Sequence, residues 1–235
     1  MNVAVVGHGR MGREVEEVLR ERGHEATLVA REAPFPADCT VGIDFTRADA
    51  VAGNVDRALA AGARYVVGTT GWLHQVEDVR RRVEEAGGGL VHAANFSLGV
   101  NLFYRIVQDA AALLARFPDY DPYVLERHHR LKKDAPSGTA KVLATIVGAA
   151  AGRPSAMSLT GPLPDKAFHV AALRAGGIVG EHTVGFDSGA DEILLEHRAR
   201  SRRGFAQGAV LAAEWIATRT GFHDFADVLD EMGRS

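Results

Sequence analysis

The sequence predicts an α/β protein, with an N-terminal doubly wound parallel sheet and a C-terminal α+β domain that contains an open mixed sheet. Over residues 1–96, short β-branched runs alternate with helical runs. This alternation is typical of a parallel sheet with right-handed crossovers. A glycine-rich turn follows the first run. After residue 97, several runs of alternating apolar residues are separated by Gly and Asp, which favours antiparallel strands.

The first predicted strand, residues 2–6, leads into the glycine-rich turn and then into a helix that ends at Gly23. The turn has the G-x-G-x-x-G spacing of Rossmann-like folds, in which Gly7 permits the tight turn, Gly9 lets backbone approach a pyrophosphate and Gly12 lets helix pack on strand. The alternative is a glycine-rich turn in another kind of α/β protein. We expect a dinucleotide here, with contacts from Gly7, His8, Gly9, Arg10, Met11 and Gly12.

The residue after the second strand, residues 26–30, normally selects the nicotinamide cofactor. An acidic side chain there binds the ribose 2′-OH, whereas an arginine accepts a 2′-phosphate. Arg31 comes first, which favours NADPH, but Glu32 follows directly and keeps NADH open. A solvent-exposed loop arginine is the competing interpretation of Arg31.

Three further strands are predicted at residues 41–46, 65–67 and 90–96, with helices at 48–61 and 74–86. Ligands of such sheets lie beyond the carboxyl ends of the strands. The small residues at these ends would let a nicotinamide and its ribose lie against backbone. The segments concerned are Asp44-Phe45-Thr46, Gly68-Thr69-Thr70-Gly71 and Ala93-Ala94-Asn95-Phe96.

The second half of the chain predicts a different domain. We expect helices at residues 98–117 and 139–151, antiparallel strands at 168–174, 180–187 and 192–200, and a further strand at 120–126 that joins them in an open sheet. Helices at 205–219 and 225–232 would return to the first domain. The predicted division is therefore 1–96 with 205–235 for NAD(P) binding, and 97–204 for substrate binding and oligomerisation.

Residues 126–140 concentrate the candidate chemistry. Two adjacent histidines, His128 and His129, stand among several cations, and Pro136 and Ser137 predict the start of a helix. The free N–H groups of a helix start favour an anion, and an imidazole can transfer a proton near neutral pH. A small anionic substrate would fit such a pocket. The alternative is a basic, solvent-exposed loop.

Composition excludes several classes of protein. The chain has 235 residues, 46% hydrophobic and 24% charged, with a net charge of −3, so no global basic field favours nucleic acid. Cys39 is the one cysteine, which excludes an internal disulfide framework and fits a reducing compartment. No apolar run is long enough to span a bilayer. We expect a cytoplasmic protein that binds no metal and no membrane.

The order of residues 126–140, E-x-H-H-x-x-K-x-D-x-P-S-G-T-A, resembles the signature of the dihydrodipicolinate reductase family. The similarity extends over nearly the whole chain in the expected order. It includes the glycine-rich turn and the strand ends named above, and also these blocks: residues 94–101, Arg174 to Thr183, Ser201-Arg202, and Phe205 to Ala209.

The resemblance implies an activity and a set of site residues. The family reduces a cyclic dicarboxylic imine, formed from hydroxy-tetrahydrodipicolinate by loss of water, with hydride from NADH or NADPH. By the family pattern His128 is the proton donor and acceptor, and Lys132 a proton donor. The implied substrate contacts are His129, Ser137, Gly138 and Thr139, and the implied nicotinamide contacts are Gly68, Thr69, Thr70, Ala93, Ala94, Asn95 and Phe96. The resemblance also implies a homotetramer assembled through the second-domain sheet.

Two departures from the family pattern bear on the cofactor. The glycine turn is one residue shorter than the commoner form, and Ala30 stands where an acidic residue often precedes the arginine. Two other functions keep the fold: an amino-acid dehydrogenase such as aspartate dehydrogenase, and a redox sensor that binds NAD(P)H. The complete E-x-H-H motif argues against the first, and His128 with Lys132 against the second. Nucleic-acid binding by residues 127–133 is weaker still, because no aromatic residue interleaves the cations.

Overall fold

The computed structural model describes residues 1–30, 33–157 and 162–233. The chain forms two compact units, Met1–Leu98 with Arg202–Ser235 and Gly99–Ser201. The strands are β1 (Asn2–Val6), β2 (Glu25–Val29), β3 (Val41–Asp44), β4 (Arg64–Val67), β5 (Gly89–His92), β6 (Asp121–His128), β7 (Ser155–Ala156), β8 (Phe168–Arg174), β9 (Glu181–Asp187), β10 (Glu192–Arg198) and β11 (Gly221–Asp224). The helices are α1 (Arg10–Glu21), α2 (Val51–Ala60), α3 (Val76–Glu85), α4 (Leu98–Leu114), α5 (Gly138–Ala151), α6 (Arg203–Ile216) and α7 (Phe225–Met232).

The first unit is built on a parallel six-stranded sheet in the order β11-β5-β4-β3-β1-β2. From β1 the chain goes to β2 on one side and then returns to β3 on the other. The strand order therefore reverses between β1 and β3, and this reversal opens a crevice at the carboxyl ends of those two strands. The predicted fold class is confirmed for this unit.

Both faces of this sheet are covered. One hydrophobic core includes Val5 of β1 and Ile43 of β3 together with residues of α1, α6 and α7. The other core includes Ala4 and Val6 of β1 together with residues of α2 and α3. Burial on both faces explains why β1 is apolar at consecutive positions rather than at alternate ones.

Two elements of the first unit differ from the sequence prediction. β5 ends at His92 instead of residue 96, and Asn95 then turns the chain by accepting a hydrogen bond at Oδ1 from the Ser97 N–H, at 2.8 Å. β11 lies in a segment predicted as a connection between helices, and it pairs in parallel with β5. With only four residues, β11 is too short to show a clear alternation of apolar and polar side chains. Its strand conformation therefore depends on pairing with β5 at the edge of the sheet, and not on the local sequence pattern.

The second unit contains a five-stranded mixed sheet in the order β10-β9-β6-β8-β7. The central strand β6 is antiparallel to β9 but parallel to β8. The prediction of an open mixed sheet is therefore confirmed, and β6 and β8 form a parallel pair within it. The reason is the connection between them, since the chain passes through α5 and so returns in the same direction, as a crossover requires.

Helices α4 and α5 pack against one face of the second sheet. The shared core includes Phe103 and Val107 of α4, Leu143 of α5, and Val124 of β6. Strand residues therefore alternate between this covered face and the opposite, open face. Within the described ranges, no helix has the length and apolar character needed to span a membrane.

Gly12 tests the packing of α1 on β1. A Cβ at Gly12 would lie 1.9 Å from the Gly7 carbonyl oxygen, so Gly12→Ala must displace the helix or the turn. We expect the free energy of unfolding to fall by roughly 1–3 kcal/mol in urea titrations. The matched control is Gly53→Ala inside α2, where nothing lies within 4 Å of the added Cβ. That variant should keep or slightly raise stability, because alanine is the better helix former. Equal losses in both variants would contradict the packing role of Gly12.

Candidate active site

The turn after β1 has the geometry of a dinucleotide-binding turn. Gly7 has φ +108°, and a Cβ there would lie 2.9 Å from the Phe45 carbonyl oxygen. At Gly9 no atom lies within 4 Å of an added Cβ, so the space beside this backbone is open. Helix α1 begins with Gly9 as its N-cap and has no side-chain cap. Its first N–H groups are therefore available to a phosphate.

Two cavities lie at the carboxyl edge of the first sheet. One, of about 350 Å³, is lined by Val6, Gly7, His8, Val29, Ala30, Thr46, Arg47, Asp49, Ala50 and Asn54. The other, of about 310 Å³, is lined by Gly9, Arg10, Met11, Phe45, Thr46, Gly68, Thr69, Thr70 and Arg202. Most of the predicted cofactor residues therefore line these two cavities. Arg47 and Arg202 are lining residues that were not predicted. Arg31 and Glu32, on which the cofactor prediction depends, lie outside the described residues.

Buried Asp44, the last residue of β3, fixes the loops that line these cavities. Its Oδ1 accepts hydrogen bonds from the Thr46 N–H at 2.8 Å and from the hydroxyls of Thr46 and Thr69 at 2.6 and 2.9 Å. Its Oδ2 accepts from Asn54 at 2.7 Å and from the Tyr65 hydroxyl at 3.0 Å. Burial and the neighbouring Asp44 raise the pKa of Tyr65 well above its usual range, so Tyr65 remains a donor. The carboxylate thus ties the end of β3 to the loop after β4.

The predicted contacts at the end of β5 are divided between surface and core. Ala94 is exposed and Ala93 is buried. The Phe96 ring is 1% exposed and packs against the rings of Phe45 and Phe225, with centroids 6.4 and 4.9 Å apart. Because the ring is in the core, Phe96 can offer a ligand only its backbone.

In the second unit, β6 continues through His128, whereas the sequence predicted a strand that ended at residue 126. His128 is therefore a strand residue and not a loop residue. Strand alternation places Glu126 and His128 on the same face, the one that α4 and α5 cover. Both side chains are buried, and Glu126 has no exposed surface.

The Glu126 carboxylate accepts hydrogen bonds from three elements. Its Oε2 is bonded to His128 Nδ1 on the same strand. Its Oε1 accepts from Arg174 Nη2 on β8 at 2.7 Å and from the Ser137 N–H before α5 at 3.0 Å. Burial alone would raise the pKa of Glu126, but the hydrogen bonds from Arg174, His128 and Ser137 outweigh burial and lower it. Glu126 is therefore an ionised, fully paired carboxylate.

His128 also contacts His182 of β9. The two rings lie edge to face with centroids 5.2 Å apart, and His182 Nε2 lies 3.2 Å from the Ser137 Oγ. Burial lowers the pKa of His128, and Glu126 partly offsets that effect. Burial and the charge of His128 lower the pKa of His182 to about 4. His182 is thus neutral at pH 7, and its buried Nδ1 has no hydrogen-bond partner among the described residues.

The start of α5 completes the cluster. Ser137 is the N-cap, as predicted, and its Oγ accepts from the Ala140 N–H at 3.2 Å, a contact worth about 1 kcal/mol. The N–H groups of Gly138 and Thr139 in the first turn have no intrahelical acceptor. They are therefore available to an anion, as the sequence predicted.

The loop between β6 and α5 is held by one ion pair and by a hydrogen bond from Arg174. Lys132 Nζ lies 2.7 Å from Asp134 Oδ1, and this contact lowers the pKa of Asp134. Arg174 Nη2 also donates to the Asp134 carbonyl oxygen at 2.6 Å. Lys132 is close enough for its charge to lower the pKa of His128. The partly exposed His129 directly follows His128, so the predicted substrate residues all lie in or beside this cluster.

Three residues of the cluster were not predicted as site residues: Glu126, Arg174 and His182. The local signal for Glu126 is its position two residues before His128, which puts both on one face of a strand. For Arg174 and His182 the sequence offers only their place within motif blocks, since both reach the site by strand pairing. Donor atoms of Glu126, His128 and His182 lie within 4.8 Å of one another. Both carboxylate oxygens are nevertheless already paired, and the Arg174 cation supplies the balancing charge.

The fold and the two clusters are those of a dinucleotide-dependent oxidoreductase. The chain belongs to the dihydrodipicolinate reductase family: the family profile described as "Dihydrodipicolinate reductase, N-terminus" matches residues 26–96, and "Dihydrodipicolinate reductase, C-terminus" matches residues 99–229.

Named relatives extend this result over the full chain. The 4-hydroxy-tetrahydrodipicolinate reductase of Christiangramia forsetii is 34% identical over 99% of both chains. The enzyme of the same name from Gluconacetobacter diazotrophicus is 39% identical over 97% of both. A dipicolinate-bound dihydrodipicolinate reductase from Paenisporosarcina sp. TG-14 has a TM-score of 0.77 at 21% identity, covering 95% of this chain and 97% of that one, and supports the fold.

The lowered pKa of His182 predicts a pH dependence of stability. The folded protein keeps His182 neutral down to about pH 4, whereas the unfolded chain protonates it below about 6.5. Stability from this group is therefore complete above about pH 6.5 and is lost as pH falls toward 4, by about 3 kcal/mol. Urea unfolding across this range should show a shallower decline for His182→Gln than for wild type. His74→Gln, at an exposed position, is the control and should keep the wild-type slope. Parallel curves for wild type and His182→Gln would refute the prediction.

Proposed function

We propose that this protein reduces hydroxy-tetrahydrodipicolinate, by way of dihydrodipicolinate, to tetrahydrodipicolinate with hydride from NAD(P)H, in lysine and diaminopimelate biosynthesis. The observation that carries the proposal is the cluster of an imidazole bonded to a buried carboxylate, a lysine, and the open start of α5. Its parts match the two needs of a dicarboxylic imine, anion binding and proton supply. The names of the relatives, which align over 97% or more of both chains, support the same reaction.

Substrate carboxylates would bind at the start of α5. The N–H groups of Gly138 and Thr139 donate to one carboxylate, where the helix dipole adds attraction for a negative charge. His129 and Ser137 both precede these donors in the chain and would complete the anion site. Ser137 retains its capping bond to Ala140, so its hydroxyl is already oriented.

Proton supply would come from His128 and Lys132. When bound, NAD(P)H supplies the hydride. Hydride addition to a conjugated imine leaves negative charge on the substrate, and a proton must quench it. His128 is the proton donor and acceptor, since its Nδ1 is bonded to Glu126 and only Nε2 remains for exchange. Lys132 is a second proton donor, and its positive charge attracts the dianionic substrate.

The cofactor would bind at the carboxyl edge of the first sheet. The α1 N-terminus with Gly9, Arg10 and Met11 receives the pyrophosphate, and the loops that Asp44 fixes receive the nicotinamide ribose. We propose NADPH as the preferred cofactor, because Arg31 follows β2 and Arg47 lines the cavity beside Ala30. An arginine that lines this cavity suits a 2′-phosphate better than a 2′-hydroxyl.

The open face of the second sheet is proposed as the surface of homotetramer assembly. Leu195 packs toward α4 and α5, so its neighbour Leu194 faces the opposite way and is 53% exposed. Leu173 of β8 is also on this open face and is 44% exposed. Exposed apolar side chains on an uncovered sheet face are typical of a surface buried by a partner subunit.

The test of function is oxidation of NADPH and NADH, followed by the absorbance of the reduced nicotinamide, with freshly generated hydroxy-tetrahydrodipicolinate. Oxidation that depends on this substrate supports the proposal, and the ratio of the two rates tests the preference for NADPH. Cofactor binding without substrate-dependent oxidation would contradict it and would direct the search to other dicarboxylates.

The adjacent histidines should have separable kinetic roles. His128→Ala should lower kcat by roughly 10²–10⁴-fold with little change in the substrate KM, because proton transfer is lost while the anion site remains. His129→Ala should mainly raise the substrate KM. Both variants should retain NADPH affinity, measured by fluorescence titration, which controls for folding. A near-normal kcat in His128→Ala would remove that residue from the mechanism.

Assembly through the open face predicts a sensitive leucine. Leu194→Asp should convert the tetramer to smaller species in light scattering coupled to size exclusion, because a charge would be buried at the contact. Leu113→Asp on α4, at a position 56% exposed, is the matched control and should remain tetrameric. A wild-type protein that is monomeric, or a Leu194→Asp variant that stays tetrameric, would contradict this surface.

A further inference from the structure

We propose that Glu126 is the positioning residue of the reaction: it fixes the His128 imidazole with a proton on Nδ1 and leaves Nε2 as the atom that exchanges a proton with substrate. The inference rests on the proposed function and gives a role to Glu126, the first residue of the E-x-H-H motif, which was not among the predicted site residues. Glu126 does not touch substrate; it acts through His128.

The Glu126 carboxylate is held by hydrogen bonds at both of its oxygens. Glu126 has no exposed surface, and its two oxygens receive three bonds, from His128, Arg174 and Ser137. An unpaired carboxylate in this position would be strongly destabilising, since a buried charge must be paired. Because β6, β8 and α5 all contribute a donor, the carboxylate cannot rotate without breaking bonds to two other elements. The carboxylate therefore holds the imidazole in one orientation.

The hydrogen bond between Glu126 and His128 has a fixed direction. Arg174 and the Ser137 N–H are permanent donors and keep the carboxylate ionised, and an ionised carboxylate accepts bonds but donates none. His128 Nδ1 must therefore be the donor. In the neutral imidazole this leaves Nε2 without a proton and ready to accept one.

The other ring nitrogen of His128, Nε2, lies beside Gly180. A Cβ at Gly180 would lie 3.0 Å from His128 Nε2. Because Gly180 has no side chain, no Cβ crowds the nitrogen opposite Glu126. The same ring thus has one nitrogen bonded to a carboxylate and the other beside the bare backbone of Gly180.

The charges that face His128 explain why the carboxylate is needed. Arg174 of β8, Lys132 of the following loop and burial all disfavour the imidazolium, and Glu126 opposes them. On β9 the neighbour is His182, which is neutral at pH 7. During the cycle the N–H bond at Nε2 breaks as the proton goes to substrate. Nδ1 keeps its proton, Glu126 stays ionised, and solvent water returns a proton to Nε2.

Glu126→Gln provides a sharp test because the amide has only one orientation that fits. Arg174 and the Ser137 N–H both donate at Oε1, so the amide oxygen must stay there and the NH₂ group must face His128. That NH₂ group donates to Nδ1 and forces the neutral ring to carry its proton on Nε2. In the imidazolium form, the Nδ1–H would point at the amide NH₂ group, so two donors would face each other and the doubly protonated ring is disfavoured. His128 then no longer exchanges its proton, although the size and packing of the side chain at position 126 are preserved.

The experiment compares wild type, Glu126→Gln and the matched control Asp121→Asn. Asp121 begins the same strand, is exposed and also pairs with an arginine, Arg153, at 2.6 Å. We expect Glu126→Gln to lose roughly 10²–10⁴-fold in kcat with an unchanged KM for NADPH. The alkaline limb of its residual kcat/KM should move to lower pH, because the carboxylate that raises the pKa of His128 is gone. Asp121→Asn should keep the wild-type kcat and pH profile.

Nitrogen NMR of ring-labelled histidine gives a readout that is independent of turnover. Neutral His128 should carry its proton on Nδ1 in wild type and in Asp121→Asn, and on Nε2 in Glu126→Gln. A wild-type ring protonated on Nε2, or a Glu126→Gln variant with near-normal kcat, would overturn the proposal. If wild type showed no reductase activity, the proposed function would fail, while the wild-type tautomer would still decide the role of Glu126. The wild-type spectrum also decides it if Glu126→Gln does not fold.

Discussion

The buried carboxylate of Glu126 is the interaction on which the second unit depends. It receives donors from its own strand, from Arg174 on β8 and from the Ser137 N–H before α5. One ionised group therefore sets the register of a strand pair, the start of a helix and the orientation of an imidazole. Its desolvation cost is high, and it is tolerated because both oxygens accept hydrogen bonds, one of them from the Arg174 cation.

The first unit also contains a buried carboxylate that accepts several hydrogen bonds, but its donors are of a different kind. Asp44 lies at the carboxyl end of β3, is buried, and accepts five hydrogen bonds, which fix the loops after β3 and β4. There the donors are hydroxyls and amides, and the result is a shaped cavity for a ligand. Around Glu126 the donors are an arginine, a histidine and the Ser137 N–H, and the result is an imidazole held in one orientation. In both, a saturated anion at a strand end makes adjacent loops rigid.

Strand alternation gives the second sheet one face with the polar cluster and one face with exposed leucines. On the face covered by α4 and α5 lie Glu126, His128, Arg174 and His182, where burial shifts pKa values and excludes water. On the open face lie Leu173 and Leu194, which remain exposed in the single chain. A shift of the register by one residue would exchange these faces. The length of β6 and its pairing with β8 and β9 therefore decide which side chains meet in the cluster.

The sequence by itself determined the parts that depend on local pattern. The β1–turn–α1 unit, the parallel first sheet, the Ser137 cap and the family membership all follow from spacing within a few residues or from a continuous motif. Only the tertiary structure decided that β6 reaches His128, that β8 runs parallel to it, and that β11 joins the first sheet. It also brought Arg174 and His182 to residues 48 and 45 positions away in the chain. The physical reason is that periodicity reports only which face of an element is apolar, whereas strand pairing and the satisfaction of a buried charge depend on packing between distant segments.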